Sequence, residues 1–276
     1  TKDQIREFNA WYEAGIADQQ NGTTTQATLF PNYEVPESIK TWPAHGDVSK
    51  GQDYFLAPFY DFNNDGHYNW EDGDFPWYDI KQDKQCSVDR DVSLYGDKNF
   101  WWVMNDKGNI HTETGADPIG MEIRAQAFAF ASNDEVNNMT FYNYVLINRG
   151  TQTLYNTYFG FFTDGALGDP YDDYVGCDVM RGLGYYYNGD NFDGDNAGYK
   201  GYGYSPPAVG VDFFEGPYQD NDGIDNAYGI GVDEALNGIG YGDGIIDNER
   251  FGMRRFLYYS NTTNGANVNQ TDPIAA

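Results

Sequence analysis

Met121-Glu-Ile-Arg-Ala-Gln-Ala-Phe-Ala-Phe-Ala-Ser132 alternates with a period of two: Ile123, Ala125, Ala127 and Ala129 fall on one side, Arg124, Gln126, Phe128 and Phe130 on the other. That is the spacing of a β-strand, whose successive Cβ atoms point to opposite faces. Downstream, Met139–Asn148 and Thr153–Thr163 are dense in aromatic and β-branched residues and flank Asn148-Arg149-Gly150, which predicts a hairpin with both faces at least partly covered. Tyr174–Val179 and Leu183–Tyr187 predict a further pair. Strands at this spacing, separated by loops rich in glycine and aspartate, predict a mainly β chain built as an antiparallel β-sandwich with long Asp/Gly-rich loops. Upstream, Ile5, Phe8, Trp11 or Tyr12, and Ile16 recur near 3.6 residues, so a short N-terminal helix is expected over residues 3–17, ending near Gln19–Gly22. A second short helix is expected near Ser38–Trp42, among prolines 31, 36 and 43. After Asn188 the pattern fades, and it recovers as a strand over Phe251–Ser260. The expected organisation is a lead-in over 1–50, a calcium-loop region over 51–120, the sandwich over 121–260 with an insertion at about 188–250, and a polar tail over 261–276.

The formal net charge of −27 comes from 43 acids against 16 bases, and 32 of the acids are aspartate. This bias towards the short carboxylate favours loops that wrap cations over a merely solvated acidic surface. The sign of the charge argues against nucleic acid and anionic membranes as partners. Mean hydropathy is −0.69, yet 17% of residues are aromatic, whereas disordered acidic chains are aromatic-poor. No apolar run approaches the ~18 residues of a membrane span, and no signal peptide is seen at Thr1. The two cysteines, Cys86 and Cys177, are read either as one bridge or as two buried thiols.

Asp61-Phe-Asn63-Asn-Asp65-Gly66-His67-Tyr-Asn69-Trp-Glu-Asp72 carries oxygen-bearing side chains at loop positions 1, 3, 5, 9 and 12, with glycine at position 6. A calcium loop needs this spacing: alternate residues point inward, position 7 (His67) offers its carbonyl, and glycine permits the sharp turn. Aspartate at position 12 is a weaker closing ligand than glutamate, so Asp74 is a candidate to replace Asp72. Pro58 and Pro76 interrupt the flanks, which argues for a free-standing calcium loop rather than an EF-hand helix pair. A second acidic cluster holds Asp164, Asp169, Asp172, Asp173 and Asp178, on a loop between predicted strands. These carboxylates would repel unless a cation lies between them or water solvates each. A third holds Asp220, Asp222, Asp225, Asp233, Glu234, Asp243 and Asp247.

Motifs for nucleophilic, zinc-hydrolase or P-loop chemistry are absent from the sequence. The glycines at 238–244 lack the βαβ context of a dinucleotide loop, and His111-Thr-Glu113 is more simply a hydrogen-bonded pair than an acid/base couple. No catalytic residue is assigned. Trp70, Trp77 and Tyr185–Tyr187 are candidate sugar-stacking platforms, with packing as the plainer role.

Trp42-Pro-Ala-His-Gly46, Gly51-Gln-Asp-Tyr-Phe-Leu-Ala-Pro58, the 61–72 loop with Gly73–Pro76, Trp101–Asn105, Gly108–Gly115, Asp172–Asp178 and Arg181–Tyr185 together resemble a region of large surface or secreted proteins of Bacteroidota exported by the type 9 secretion system. The first loop is similar to EF-hand and dockerin loops. The Asp-Gly-Ile-(Ile)-Asp units at 222–225 and 243–247 are similar to thrombospondin type 3 loops. The resemblance covers roughly residues 40–250 and implies an extracellular or cell-surface location, β-sandwich modules, bound Ca2+ and contact with the secretion machinery during export. The expected function is a calcium-stabilised structural or adhesive module with glycans or other surface proteins as partners. The alternative is a secreted polysaccharide-binding or glycan-degrading protein.

Overall fold

The computed structural model describes residues 1–78, 80, 94–108, 110–112, 114–219, 221–227 and 237–258. Its chain is mainly β, with several small antiparallel sheets and an N-terminal helix, and it divides into two compact units, Thr1–Leu154 and Tyr155–Ala276. The division falls inside the 121–260 segment expected to form one sandwich.

In the first unit, helix α1 (Lys2–Asn21) starts at a capping box in which Thr1 and Gln4 satisfy each other's backbone groups. It ends at Gly22, whose φ of 67° is the left-handed cap that favours glycine. Ile5 and Phe8 face inward and pack with Val35, Ile39, Phe75, Tyr78 and Leu94. Helices α2 (Thr25–Leu29) and α3 (Glu37–Lys40) are single turns; α3 overlaps the helix expected near Ser38–Trp42, and α2 carries no clear signal in the sequence. Strands β1 (Phe59–Tyr60) and β2 (Phe75–Pro76) pair antiparallel, Tyr60 opposite Phe75.

The main sheet of this unit has the order β3 (Lys98–Asn105), β4 (Met121–Ala129), β5 (Phe141–Asn148), all antiparallel. At its centre Trp101, Gln126 and Asn143 stand in one row, and Trp102, Ala125 and Tyr144 in the next. Ala125, Gln126 and Ala127 are all buried although they alternate in direction, so both faces of β4 are covered. Four charges tie the loop before β1 to this sheet: Asp53 pairs with Arg124 at 2.7 Å and with Arg149 at 2.5 Å, and both arginines also reach Glu122.

Two strand expectations are corrected here. Residues 153–163 form no strand. The turn after β5 folds back on Gly120 instead, through the Arg149 N–H to the Gly120 carbonyl (2.8 Å), held by the ion pairs of Arg149. Tyr155 and Phe162 are left exposed. Of the strand expected over Phe251–Ser260, residues 251–258 form none and 259–260 lie outside the described residues; beside them Arg250 makes single bridges to Tyr218 and to Ile239, and the Phe251 N–H reaches the Pro217 carbonyl at 3.0 Å.

In the second unit β6 (Asp173–Asp178) and β7 (Leu183–Asn188) form the expected hairpin, extended by β10 (Ala208–Asp212) on the other side of β7. A short ladder joins β8 (Phe192–Asp193) to β9 (Gly203–Tyr204). Cys177 on β6 carries a free thiol, with burial and then the Asp178 charge pushing its pKa up, while Cys86 lies outside the described residues. Among the described residues no helix is long and apolar enough to cross a membrane.

Phe8 is fully buried and meets Phe75 edge-to-face at 6.4 Å between ring centres. Phe8→Ala is expected to lower the stability of the first unit by about 3–5 kcal/mol in urea unfolding, the usual result of leaving an aromatic-sized cavity. A loss below about 1 kcal/mol would mean that α1 is not part of this core.

Candidate metal centres

The β1–β2 ladder closes the neck of the first acidic loop, and the next residues outward are Asp61 and Asp74, which are 2% and 0% exposed. Each carboxylate is spent on the loop backbone. Asp61 accepts the N–H groups of Asp65 (3.2 Å) and Gly66 (2.7 Å), and Asp74 accepts those of Phe62 and Asn69 (2.8 Å each). Asn63 Oδ1 accepts the Asp65 N–H (3.1 Å), and Asp65 Oδ1 the His67 N–H (2.8 Å). Gly66 sits at φ 75°, the left-handed turn anticipated at position 6.

Asp74, rather than Asp72, holds the two arms of the loop together, through the Phe62 and Asn69 N–H groups. Asp72 is drawn aside to the Asn69 side-chain amide (2.7 Å), while Asn69 Oδ1 caps the short turn Trp70–Asp72 through the Glu71 N–H. The His67 ring stacks on His45 at 5.1 Å, and its Nδ1 lies 2.9 Å from the Tyr54 hydroxyl. Burial pushes the Asp74 carboxyl up to about 6. The N–H groups of Asn69 and Phe62 oppose that rise, and the charges of Asp61 and Asp65 add to it.

The second cluster is assembled from two stretches of chain. Asp169 (5% exposed) and Asp193 (1% exposed) are joined by the Asp169 N–H on Asp193 Oδ1 at 3.1 Å. Asp193 Oδ2 takes the Tyr202 N–H (2.7 Å), Asp169 takes the Tyr171 N–H and the Asn196 amide, and Asp173 takes the Leu167 N–H (2.8 Å). Asp172 Oδ1, Asp173 Oδ1 and Asn188 Oδ1 are buried and have no hydrogen-bond partner among the described residues. Asn188 stands directly across from Asp173 in the β6–β7 ladder, so the two side chains share a face. Burial pushes the Asp172 and Asp173 carboxyls up, and the charges of Asp169 and Asp193 add to the rise at both. Gly168 (φ 69°) passes so close that a Cβ would lie 1.9 Å from Asp193 Oδ2.

Of the residues singled out in the sequence, Asp169, Asp172 and Asp173 belong to this cluster. Asp178 does not: it lies at the other end of β6, about 16 Å away at strand rise, and pairs with Arg181. Asp164 takes no part in the hydrogen bonds that knit the group. Asn188 and Asp193 were missed, although Asn188-Gly-Asp190-Asn-Phe-Asp193-Gly-Asp195 carries the same Asp/Asn/Gly signature.

In the third cluster, Asp220 and Asp233 lie outside the described residues. Asp222 and Asp243 close their own turns on the N–H groups of Ile224 (2.9 Å) and Ile245 (2.8 Å). Asp225 and Asp247 instead clamp the two Asp-Gly-Ile loops together: Asp225 accepts the Gly242 and Gly244 N–H groups (2.7 Å each), and Asp247 accepts that of Gly223 (2.8 Å).

No family model, curated protein or solved structure matches the chain. Among the described residues, no three His, Cys, Asp or Glu side chains form a group able by themselves to hold a metal. Two other sequence candidates have structural duties. His111 Nε2 lies 2.8 Å from the Asp106 carbonyl, with Glu113 outside the described residues. Trp77 is 4% exposed and so cannot stack on a sugar.

The raised Asp74 pKa fixes a sign. Without divalent ions the folded chain holds a proton between about pH 4 and about pH 6 that the unfolded chain releases. This group's stabilising contribution is therefore full below about pH 4 and is lost as pH rises through about 6. In chelator, Asp74→Asn is expected to flatten that part of the urea-midpoint profile. An Asn variant with the wild-type profile would remove Asp74 as its source.

Proposed function

We propose that this chain is a calcium-stabilised structural or adhesive module of an extracellular or surface protein, of the kind that Bacteroidota export through the type 9 secretion system. In this reading its antiparallel sheets belong to β-sandwich modules, and its Asp/Gly-rich loops wrap Ca2+. The observation that carries the proposal is the crowding of Asp169, Asp172, Asp173 and Asp193. Two of these are more than nine-tenths buried, and none forms an ion pair with a lysine or arginine among the described residues. Buried like charges cost several kcal/mol unless a counter-charge or protons relieve them.

A Ca2+ ion supplies that charge and uses the orphaned oxygens of Asp172, Asp173 and Asn188 as further ligands. It also gives the −27 charge a function: ions drawn into loops offset repulsion that would otherwise loosen the chain. At millimolar calcium outside the cell, a site of ~0.1 mM affinity adds about 1.4 kcal/mol by mass action. Glycans or other surface proteins are the partners this role implies.

Chelation is expected to lower the melting temperature by several degrees and calcium to restore it, with magnesium restoring it poorly because it keeps its own water and prefers a smaller octahedral cage. Asp193→Asn is expected to reduce the bound calcium count by one. Melting curves that coincide in calcium and in excess chelator would refute the reading.

A further inference from the structure

Glu249 is 1% exposed and lies outside every acidic motif singled out in the sequence. Its Oε1 accepts the Asn226 N–H at 2.5 Å, while its Oε2 is buried and has no hydrogen-bond partner among the described residues. The bridge between Tyr218 and Arg250, with the Gln219 N–H on the Glu249 carbonyl at 2.9 Å, places Gln219 directly across from Glu249. Cross-strand partners in an antiparallel pair project to the same face, so the two side chains lie together. Gln219 Oε1 and Asn226 Oδ1 are also buried and have no partner among the described residues.

The nearest base in sequence is committed elsewhere. The Arg250 guanidinium lies over the Tyr218 ring at 3.8 Å, donates to the Gly216 carbonyl at 3.0 Å and reaches Glu215 at 3.6 Å. The Asp225 and Asp247 clamps hold the two Asp-Gly-Ile loops together and so fix Asn226 against Glu249.

Among the described residues no donor reaches this buried carboxylate oxygen or the amide oxygens of the two residues whose backbones adjoin it, an arrangement that water-free packing penalises and a cation satisfies. Oxygen-only donors select a hard ion, and amide oxygens with a carboxylate suit calcium better than zinc or copper. We propose that Glu249 Oε2, Gln219 Oε1 and Asn226 Oδ1 are ligands of a calcium site of their own, set between the two Asp-Gly-Ile loops and distinct from the 61–74 loop and from the Asp169–Asp193 cluster. The proposal rests on the calcium reading above only for the identity of the ion.

The test counts calcium bound to the full chain by equilibrium dialysis, in wild type, Glu249→Gln, Gln219→Ala and Asp193→Asn, with circular dichroism as the check on folding. Glu249→Gln is expected to lose one ion while Asp193→Asn loses a different one, so that the double variant loses two. Gln219→Ala is expected to weaken the Glu249 ion at least tenfold. A folded Glu249→Gln chain with the full count would overturn the proposal, since glutamine is the isostere of a neutral buried acid. Should that variant unfold, an unchanged count and affinity in Gln219→Ala overturns it instead. Loss of an ion in Asp193→Asn alone leaves the general calcium reading standing and removes only this site, whereas a wild-type chain that binds no calcium removes both.

Discussion

Backbone N–H groups in long loops have no strand ladder to pair with, and each one buried unpaired costs about 1–3 kcal/mol. In this chain aspartate carboxylates take the place of the missing ladder. Asp61 and Asp74 organise the first loop from its neck, and Asp193 holds the Asp169 and Tyr202 N–H groups. Asp106 gathers those of Ile119, Gly120 and Met121 at the entrance to β4. Burial works to raise the Asp106 carboxyl, and these three donors outweigh it and hold it below the usual range. One carboxylate thus serves two or three donors, and much of the hydrogen bonding within these loops runs through aspartate.

The same device explains the composition. Aspartate reaches an N–H two residues ahead, as Asp65 does to His67 and Asp222 to Ile224, whereas glutamate is one methylene too long to close that turn easily. Its consequence is electrostatic. Capping loops with anions brings the anions together, at the neck of a single loop for Asp61 and Asp74 and where two loops meet for Asp169 and Asp193. The acidity of the chain and the hydrogen bonding of its loops are two aspects of one choice of side chain, and the calcium proposed above would accommodate both.

Several elements were legible because their signals are local. The two-residue period of Met121–Ser132 appears as β4, Tyr174–Val179 and Leu183–Tyr187 pair as β6 and β7, and Ile5 and Phe8 mark the buried side of α1. Thr153–Thr163 has equally good strand composition and forms none, because strand content needs a partner edge and the chain after β5 turns back towards Gly120. Strand β10 went unread for the converse reason: Ala208-Val-Gly-Val-Asp212 is weak alone and becomes a strand only against the edge that β7 offers.

Within the candidate centres the division is similar. From the sequence alone come the spacing of Asp61, Asn63, Asp65 and Gly66, the sharp turn at Gly66, and the repeat of the Asp-Gly-Ile unit, since each depends on residues a few positions apart; that the two units are clamped together by Asp225 and Asp247 is seen only in the structure. Only the tertiary structure decides that Asp74 rather than Asp72 closes the first loop, that Asp193 and Asn188 join Asp169 and Asp173 while Asp178 turns to Arg181, and that Glu249 is buried against Asn226. Asp169 and Asp193, like Asn226 and Glu249, lie more than twenty residues apart. Which distant carboxylate reaches a given loop is set by how the intervening chain closes, and that depends on strand pairing and packing that no local pattern encodes.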